Sequence, residues 1–202
     1  MINITLSPLP SMKVLMKSIF IKIPKNRKLA KPWLLRSSDI PYWFSRSAIS
    51  MTIIAKWWIE FTDNKKPNIW IPDYFCNESI QFLRDANYKL HFYPITEQFQ
   101  PDWNACRVQA AIHKPDIFII VHYFGAPSEG KKARGFCNNH ECVLVEDAAH
   151  VLIPYQDIGI YGEFILYSPH KLIAIPDGSV LIQKLKTKVT RKLSDKNPVD
   201  VM

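Results

Sequence analysis

Val143-Leu144-Val145-Glu146-Asp147-Ala148-Ala149-His150, read together with Tyr167-Ser168-Pro169-His170-Lys171 downstream, decides how this chain is understood. Apolar residues running into Glu-Asp predict a buried parallel strand, because a strand covered on both faces has no polar side and ends where polar groups reappear. The acids then fall at the strand's carboxyl end. Open α/β sheets bind ligands at that end, which places Asp147 to meet a small molecule. Lys171 follows, on the turn after the next apolar strand.

Similar strands lie on either side. Asp116 to His122 is the clearest of them, with Ile117, Phe118, Ile119, Ile120 and Val121 in succession. Ile69 to Pro72, Leu90 to Pro94, Phe164 to Tyr167 and Ser179 to Ile182 are further short strands. Helical segments are expected at Ile49 to Ile59, from the turn at Asp73–Ser79 to about Ala86, at Pro101 to Ile112 and at Lys131 to Asn139. Strands alternating with helices across Pro and Gly turns predict an α/β fold, a mostly parallel sheet flanked by helices. No internal repeat is present.

The 202 residues suffice for one sizeable core, and 48% hydrophobic with 22% charged residues is ordinary for a globular domain. Cys76, Cys106, Cys137 and Cys142 are scattered without a paired framework, which fits free thiols in the cytoplasm. The Cys137, His140, Cys142 spacing matches no usual zinc pattern, and no metal is expected. The net charge of +8 sits at the ends of the chain. Residues 1–36 hold eight Lys or Arg and no acid, and residues 184–202 hold six basic and two acidic residues. The body between them carries 12 basic against 16 acidic residues, so a basic nucleic-acid groove across it is not supported.

Met12, Leu15, Met16, Ile19, Phe20 and Ile23 recur at helical spacing with lysines between them. Two readings stay open: a basic amphipathic helix on an anionic membrane face, or a short arm packed on the body. Lysines interrupt the apolar region and no small-residue cleavage site follows, so a secretory signal is not expected. Pro24 to Pro32 reads as a linker.

A carboxylate that keeps a pyridine nitrogen protonated, and an amine that condenses with an aldehyde, are what pyridoxal phosphate requires of a protein. Asp147 and Lys171 are residues of those types. In their order the motifs resemble the DegT/DnrJ/StrS-type sugar aminotransferases, pyridoxal-phosphate enzymes of fold type I. Glu146-Asp147-Ala148-Ala149-His150 is similar to that family's Glu-Asp-x-Ala-Gln/His motif, and Ser168-Pro169-His170-Lys171 with Pro176–Leu181 to its lysine segment. His122-Tyr123-Phe124-Gly125-Ala126-Pro127 resembles its His-x-Phe/Tyr-Gly-x-Pro turn. Ile71-Pro72-Asp73-Tyr74-Phe75-Cys76 resembles its strand-Pro-x-Tyr-Thr-Cys turn, with Phe75 replacing the usual hydroxyl. Phe44 to Ile49 stands at the phosphate-binding segment, with Ser45 where glycine is usual.

The resemblance implies the large, cofactor-binding domain at residues 37–183, between a basic N-terminal arm at 1–36 and a basic tail at 184–202. It implies pyridoxal 5'-phosphate as cofactor. Lys171 would bind the aldehyde and move the proton, Asp147 would pair with the ring nitrogen, and His150 would stand near the phenolic oxygen. Arg46, Ser47 and Ser168 would hold the phosphate, and Cys76 would lie over the ring. Desolvation of Lys171 between apolar strands would favour its nucleophilic form. A register placing His170 at the lysine position would instead favour dehydration, as in one offshoot of the family. His122 is expected to be a hydrogen-bonded structural residue. The expected reaction is amino transfer from glutamate to a nucleotide-linked keto-sugar, in cell-surface glycan biosynthesis, by a cytoplasmic homodimer. Members continue into a smaller C-terminal domain, so the chain reads as truncated after the cofactor domain. Two alternatives remain open: a non-catalytic remnant that binds cofactor or a partner chain, and a tail-driven membrane or nucleic-acid binder.

Overall fold

The computed structural model describes residues 10–20, 25–62, 65–185 and 193. Seven strands form one sheet among them: β1 (Ile40–Phe44), β2 (Asn68–Pro72), β3 (Lys89–Tyr93), β4 (Ile117–Val121), β5 (Val143–Ala148), β6 (Phe164–Tyr167) and β7 (Ser179–Gln183). Their order across the sheet is β1-β7-β6-β5-β4-β2-β3. All neighbours run parallel except at β7, which is antiparallel to both β6 and β1. The α/β fold with a mostly parallel sheet is therefore the observed one.

The helices are α1 (Met12–Ser18), α2 (Asn26–Leu29), α3 (Ser47–Phe61), α4 (Gln81–Asp85), α5 (Trp103–Ile112) and α6 (Gly130–His140). They cover both faces, so β4, β5, β6 and β7 are buried at every position. The two-residue period divides the core. Ile117, Ile119, Val143, Val145, Phe164 and Leu166 pack with Ile54 and Trp57 of α3. Phe118, Ile120 and Leu144 meet Cys106 of α5 and Phe136 of α6 on the opposite face.

Burial on both sides explains why these strands read as unbroken apolar runs. Strand β1 carries no such signal: its residues are all half-buried, and it holds Pro41 at the sheet edge, where a missing N–H is tolerated. The segment read as a linker instead contains α2 and a 3₁₀ turn at Lys31–Trp33. The Trp33 indole donates to Leu152 O at 2.7 Å and sits edge-on to Trp43, which ties this segment to the body. In the segment read as a basic tail, Lys184 and Leu193 are both buried. Residues 186–192 and 194–202 of that segment, and 1–9 and 21–24 of the arm, lie outside the described residues.

Candidate active site

A cavity of about 260 Å³ opens along the carboxyl ends of the parallel strands. Each wall comes from the segment that follows a strand: Ser47 after β1, Tyr74, Phe75 and Cys76 after β2, and Tyr123 and Phe124 after β4. Asp147 and His150 come from the end of β5, and Lys171 from the turn after β6. The sheet thus gathers residues that are more than 120 positions apart in sequence. Of the expected site residues, Ser47, Cys76, Asp147, His150 and Lys171 line the cavity. Arg46, next to Ser47, and Ser168, three residues before Lys171, are not among the lining residues.

Asp147 is nearly fully buried, and its Oδ1 accepts a hydrogen bond from Ala149 N at 2.9 Å. Burial raises its pKa above 3.8, against the pull of the Ala149 amide and the Lys171 charge. Its neighbour Glu146 behaves in the opposite way. Although burial alone would raise it, hydrogen bonds from His122 and from loop amides hold its pKa below the ordinary value. The two oxygens of Glu146 accept from Gly159 N at 2.7 Å, Tyr161 N at 2.8 Å and Gly162 N at 2.6 Å, and Oε2 lies 2.9 Å from His122 Nε2. His122 Nδ1 accepts from Ser128 N at 3.0 Å, so the ring proton resides on Nε2 and points at Glu146. His122 and Glu146 are scaffold, clamping the 159–162 loop beneath the site.

His150 Nδ1 accepts from Phe124 N at 3.2 Å, and the Phe124 ring stacks on the imidazole at 6.0 Å. Burial, then the Lys171 charge, lowers the His150 pKa, which favours a neutral ring with its proton on Nε2. Phe124 adopts φ 54°, a left-handed conformation unusual for a bulky residue, and is 70% exposed at the rim. Tyr74, Phe99 and Tyr123 extend this aromatic rim. The Cys76 thiol is exposed, and a hydrogen bond with Ser79 leads the influences that lower its pKa, with the Lys171 charge contributing.

Lys171 differs from expectation in one respect. It is exposed on its 3₁₀ turn, so the described residues do not supply the desolvation inferred from its apolar flanks. The His170 ring is engaged elsewhere, with Nδ1 2.8 Å from Gly178 O, and Lys171 is the member of the pair that lines the cavity.

The residues present fit pyridoxal phosphate. The Ser168 hydroxyl is buried without a hydrogen-bond partner at the start of the lysine turn, a costly arrangement that an added acceptor would relieve. At the start of α3 the N-cap residue Arg46 makes no side-chain bond to the first-turn amides. A 15-residue helix that begins with Ser47 on the cavity wall can receive an anion there. Ser45 has no positive φ, so the absence of glycine creates no backbone strain at that position.

A profile of the DegT/DnrJ/EryC1/StrS aminotransferase family matches residues 81–188. The chain belongs to this family. Among solved structures, Helicobacter pylori PseC, an aminotransferase involved in the biosynthesis of pseudoaminic acid, superposes with a TM-score of 0.68 at 15% identity. That match covers 88% of this chain and 51% of PseC. Spr1654 from Streptococcus pneumoniae, in its PMP form, gives 0.67 at 16% identity and covers 93% of this chain and 54% of that one. Mouse CSAD in apo form gives 0.63 at 13% identity, with coverages of 92% and 45%. At these identities the likeness is one of fold. The family member described here spans about half the length of these proteins, and its sheet is the one found in fold type I enzymes.

Ser79, Tyr123 and Phe124 of the cavity wall were not singled out as site residues from sequence. Tyr123 and Phe124 lie inside the recognised His-Tyr-Phe-Gly-Ala-Pro string, and Gly125 with φ 84° marks the turn that projects them. Nothing in the local sequence distinguishes Ser79.

Proposed function

We propose that this chain is the cofactor-binding part of a pyridoxal-phosphate-dependent sugar aminotransferase. In this reading it moves the amino group of glutamate to a nucleotide-linked keto-sugar during glycan assembly, as a cytoplasmic homodimer. The observation that carries the reading is the convergence of Asp147, His150, Cys76 and Lys171 on one cavity at the carboxyl ends of parallel strands. Family membership and the PMP form of Spr1654 support the cofactor assignment.

When bound, the cofactor supplies an aldehyde and a ring that takes up the electron pair left when a proton departs from the donor carbon. Asp147, fixed through Oδ1 by the Ala149 amide, offers Oδ2 to a ring N–H, and a positive partner there offsets the cost of its buried charge. Lys171 Nζ would be the amine that holds the cofactor's aldehyde and the base that holds and returns the proton of the donor carbon. His150, with Nδ1 engaged by Phe124 N, would donate from Nε2 to an oxygen on the ring. Ser168, Ser47 and the first-turn amides of α3 would hold the phosphate, with Arg46 adding charge at the helix start. Cys76 and Phe75, on the cavity wall, would cover the ring face.

The test is one turnover of cofactor-loaded protein with glutamate, measuring 2-oxoglutarate. The reading predicts release of 2-oxoglutarate by the wild type and none by Lys171→Ala. Loaded wild-type protein that yields no 2-oxoglutarate refutes glutamate as donor.

A further inference from the structure

Helix α1 contains no buried residue. Met12, Val14, Leu15, Met16, Ile19 and Phe20 are all exposed, Phe20 at 84% and Met12 at 72%. A seven-residue helix is too short to persist in water on its own propensity, so this much bare apolar surface calls for a covering phase. Immediately downstream, Lys25, Arg27, Lys28, Lys31 and Arg36 line an open groove together with Leu34 and Leu35.

The groove is built into the fold. Buried Asp39 accepts from Leu35 N at 3.0 Å and Arg36 N at 2.8 Å through Oδ2. The Arg27 guanidinium donates to Asp39 O at 2.7 Å and to Ser37 O. Ala30 and Trp33 bury the underside. Phe20 and Lys25 are five residues apart, which keeps their Cα atoms within about 18 Å of each other.

We propose that residues Met12–Phe20 and the groove of residues Lys25–Arg36 dock on the surface of an anionic lipid bilayer. The apolar residues of Met12–Phe20 enter the acyl boundary, and the basic groove receives phosphodiester headgroups. Charge selects this occupant. Residues 1–36 hold eight Lys or Arg and no acid, so the same segment of a second copy is repelled. A nucleic acid would match the charge, but it would leave Met12, Val14, Leu15, Met16 and Ile19 in water, with Phe20 alone able to stack on a base. Bilayer docking would hold the enzyme where lipid-linked glycans are assembled, a consequence that rests on the proposed function, whereas the docking itself does not.

The experiment is co-flotation of the full chain with phosphatidylcholine vesicles, with and without phosphatidylglycerol. The proposal predicts binding only to the anionic vesicles, weakening as salt rises and unaffected by inorganic phosphate at matched ionic strength. Lys25→Gln with Lys28→Gln and Lys31→Gln lowers partitioning on the order of a hundredfold. Leu15→Ser with Ile19→Ser and Phe20→Ser weakens it while leaving the salt dependence in place. The proposal is overturned by absence of binding, by equal binding to neutral vesicles, by binding that both variants leave intact, or by RNA binding without vesicle binding.

Discussion

Replacing Glu146 by glutamine preserves the side chain's shape while converting one acceptor oxygen into a donor. In the native protein both oxygens are fully used, one by Tyr161 N and Gly162 N, the other by Gly159 N and His122 Nε2. Whichever way the amide is turned, its NH₂ group faces two hydrogen-bond donors. His122 cannot escape by moving its proton, because Nδ1 already accepts from Ser128 N. Two bonds to a buried carboxylate are lost, at about 1.5–3 kcal/mol each, so the expected loss of stability is about 3–6 kcal/mol. Urea denaturation measures it as a lower midpoint at constant slope. The pH dependence gives a second reading. The folded-state pKa of Glu146 lies below 4.5, so its contribution is complete above the unfolded value and is lost as pH falls through the folded one. The gap between wild type and variant should therefore be widest near neutrality and shrink below about pH 4.5. A loss under about 1 kcal/mol, or a gap that does not change with pH, refutes the clamp described for this residue.

Two further perturbations separate the floor of the site from its phosphate end. Asp147→Asn should raise the melting temperature of cofactor-free protein at pH 7, because burial raises the native carboxyl pKa above 3.8 and stability falls as pH climbs through that window. The advantage should vanish below about pH 3.8 while amino transfer is abolished, and a lower melting temperature at pH 7 would contradict the reasoning. Ser168→Ala removes a buried hydroxyl that has no partner, so cofactor-free protein should be as stable or up to about 2 kcal/mol more stable. Calorimetry should at the same time show weaker pyridoxal phosphate binding, and unchanged affinity would remove Ser168 from the phosphate site.

The sequence revealed the strands buried on both faces, since such strands carry their environment in composition alone. Val143–Asp147 and Ile117–Val121 are legible without any knowledge of their neighbours. Edge strand β1 was not, because half-burial and Pro41 erase both the apolar run and the alternation. The expected helix from Ser79 to Ala86 proved to be a 3₁₀ turn at Asn77–Ile80 leading into the short α4, while α3 extended beyond its apolar stretch at both ends. The site residues that converge were found through the spacing of short motifs at strand ends, where topology rather than local chemistry brings them together. Glu146 escaped notice as the clamp because its donors come from residues 159–162, whose return to the strand is a tertiary event. The exposure of Lys171 departs from the expectation for a related reason. Apolar flanks imply burial for a strand residue, but not for one on a turn that projects into a cavity.

The central claim is that Lys171 is the amine that meets the cofactor. Incubating the protein with pyridoxal phosphate, reducing with borohydride and mapping the peptides tests it directly. The account predicts one covalent pyridoxyl group per chain, on the peptide containing Lys171, and none at that site in Lys171→Ala. Equal incorporation by the variant, or label spread across the lysines of residues 13–31, would contradict it.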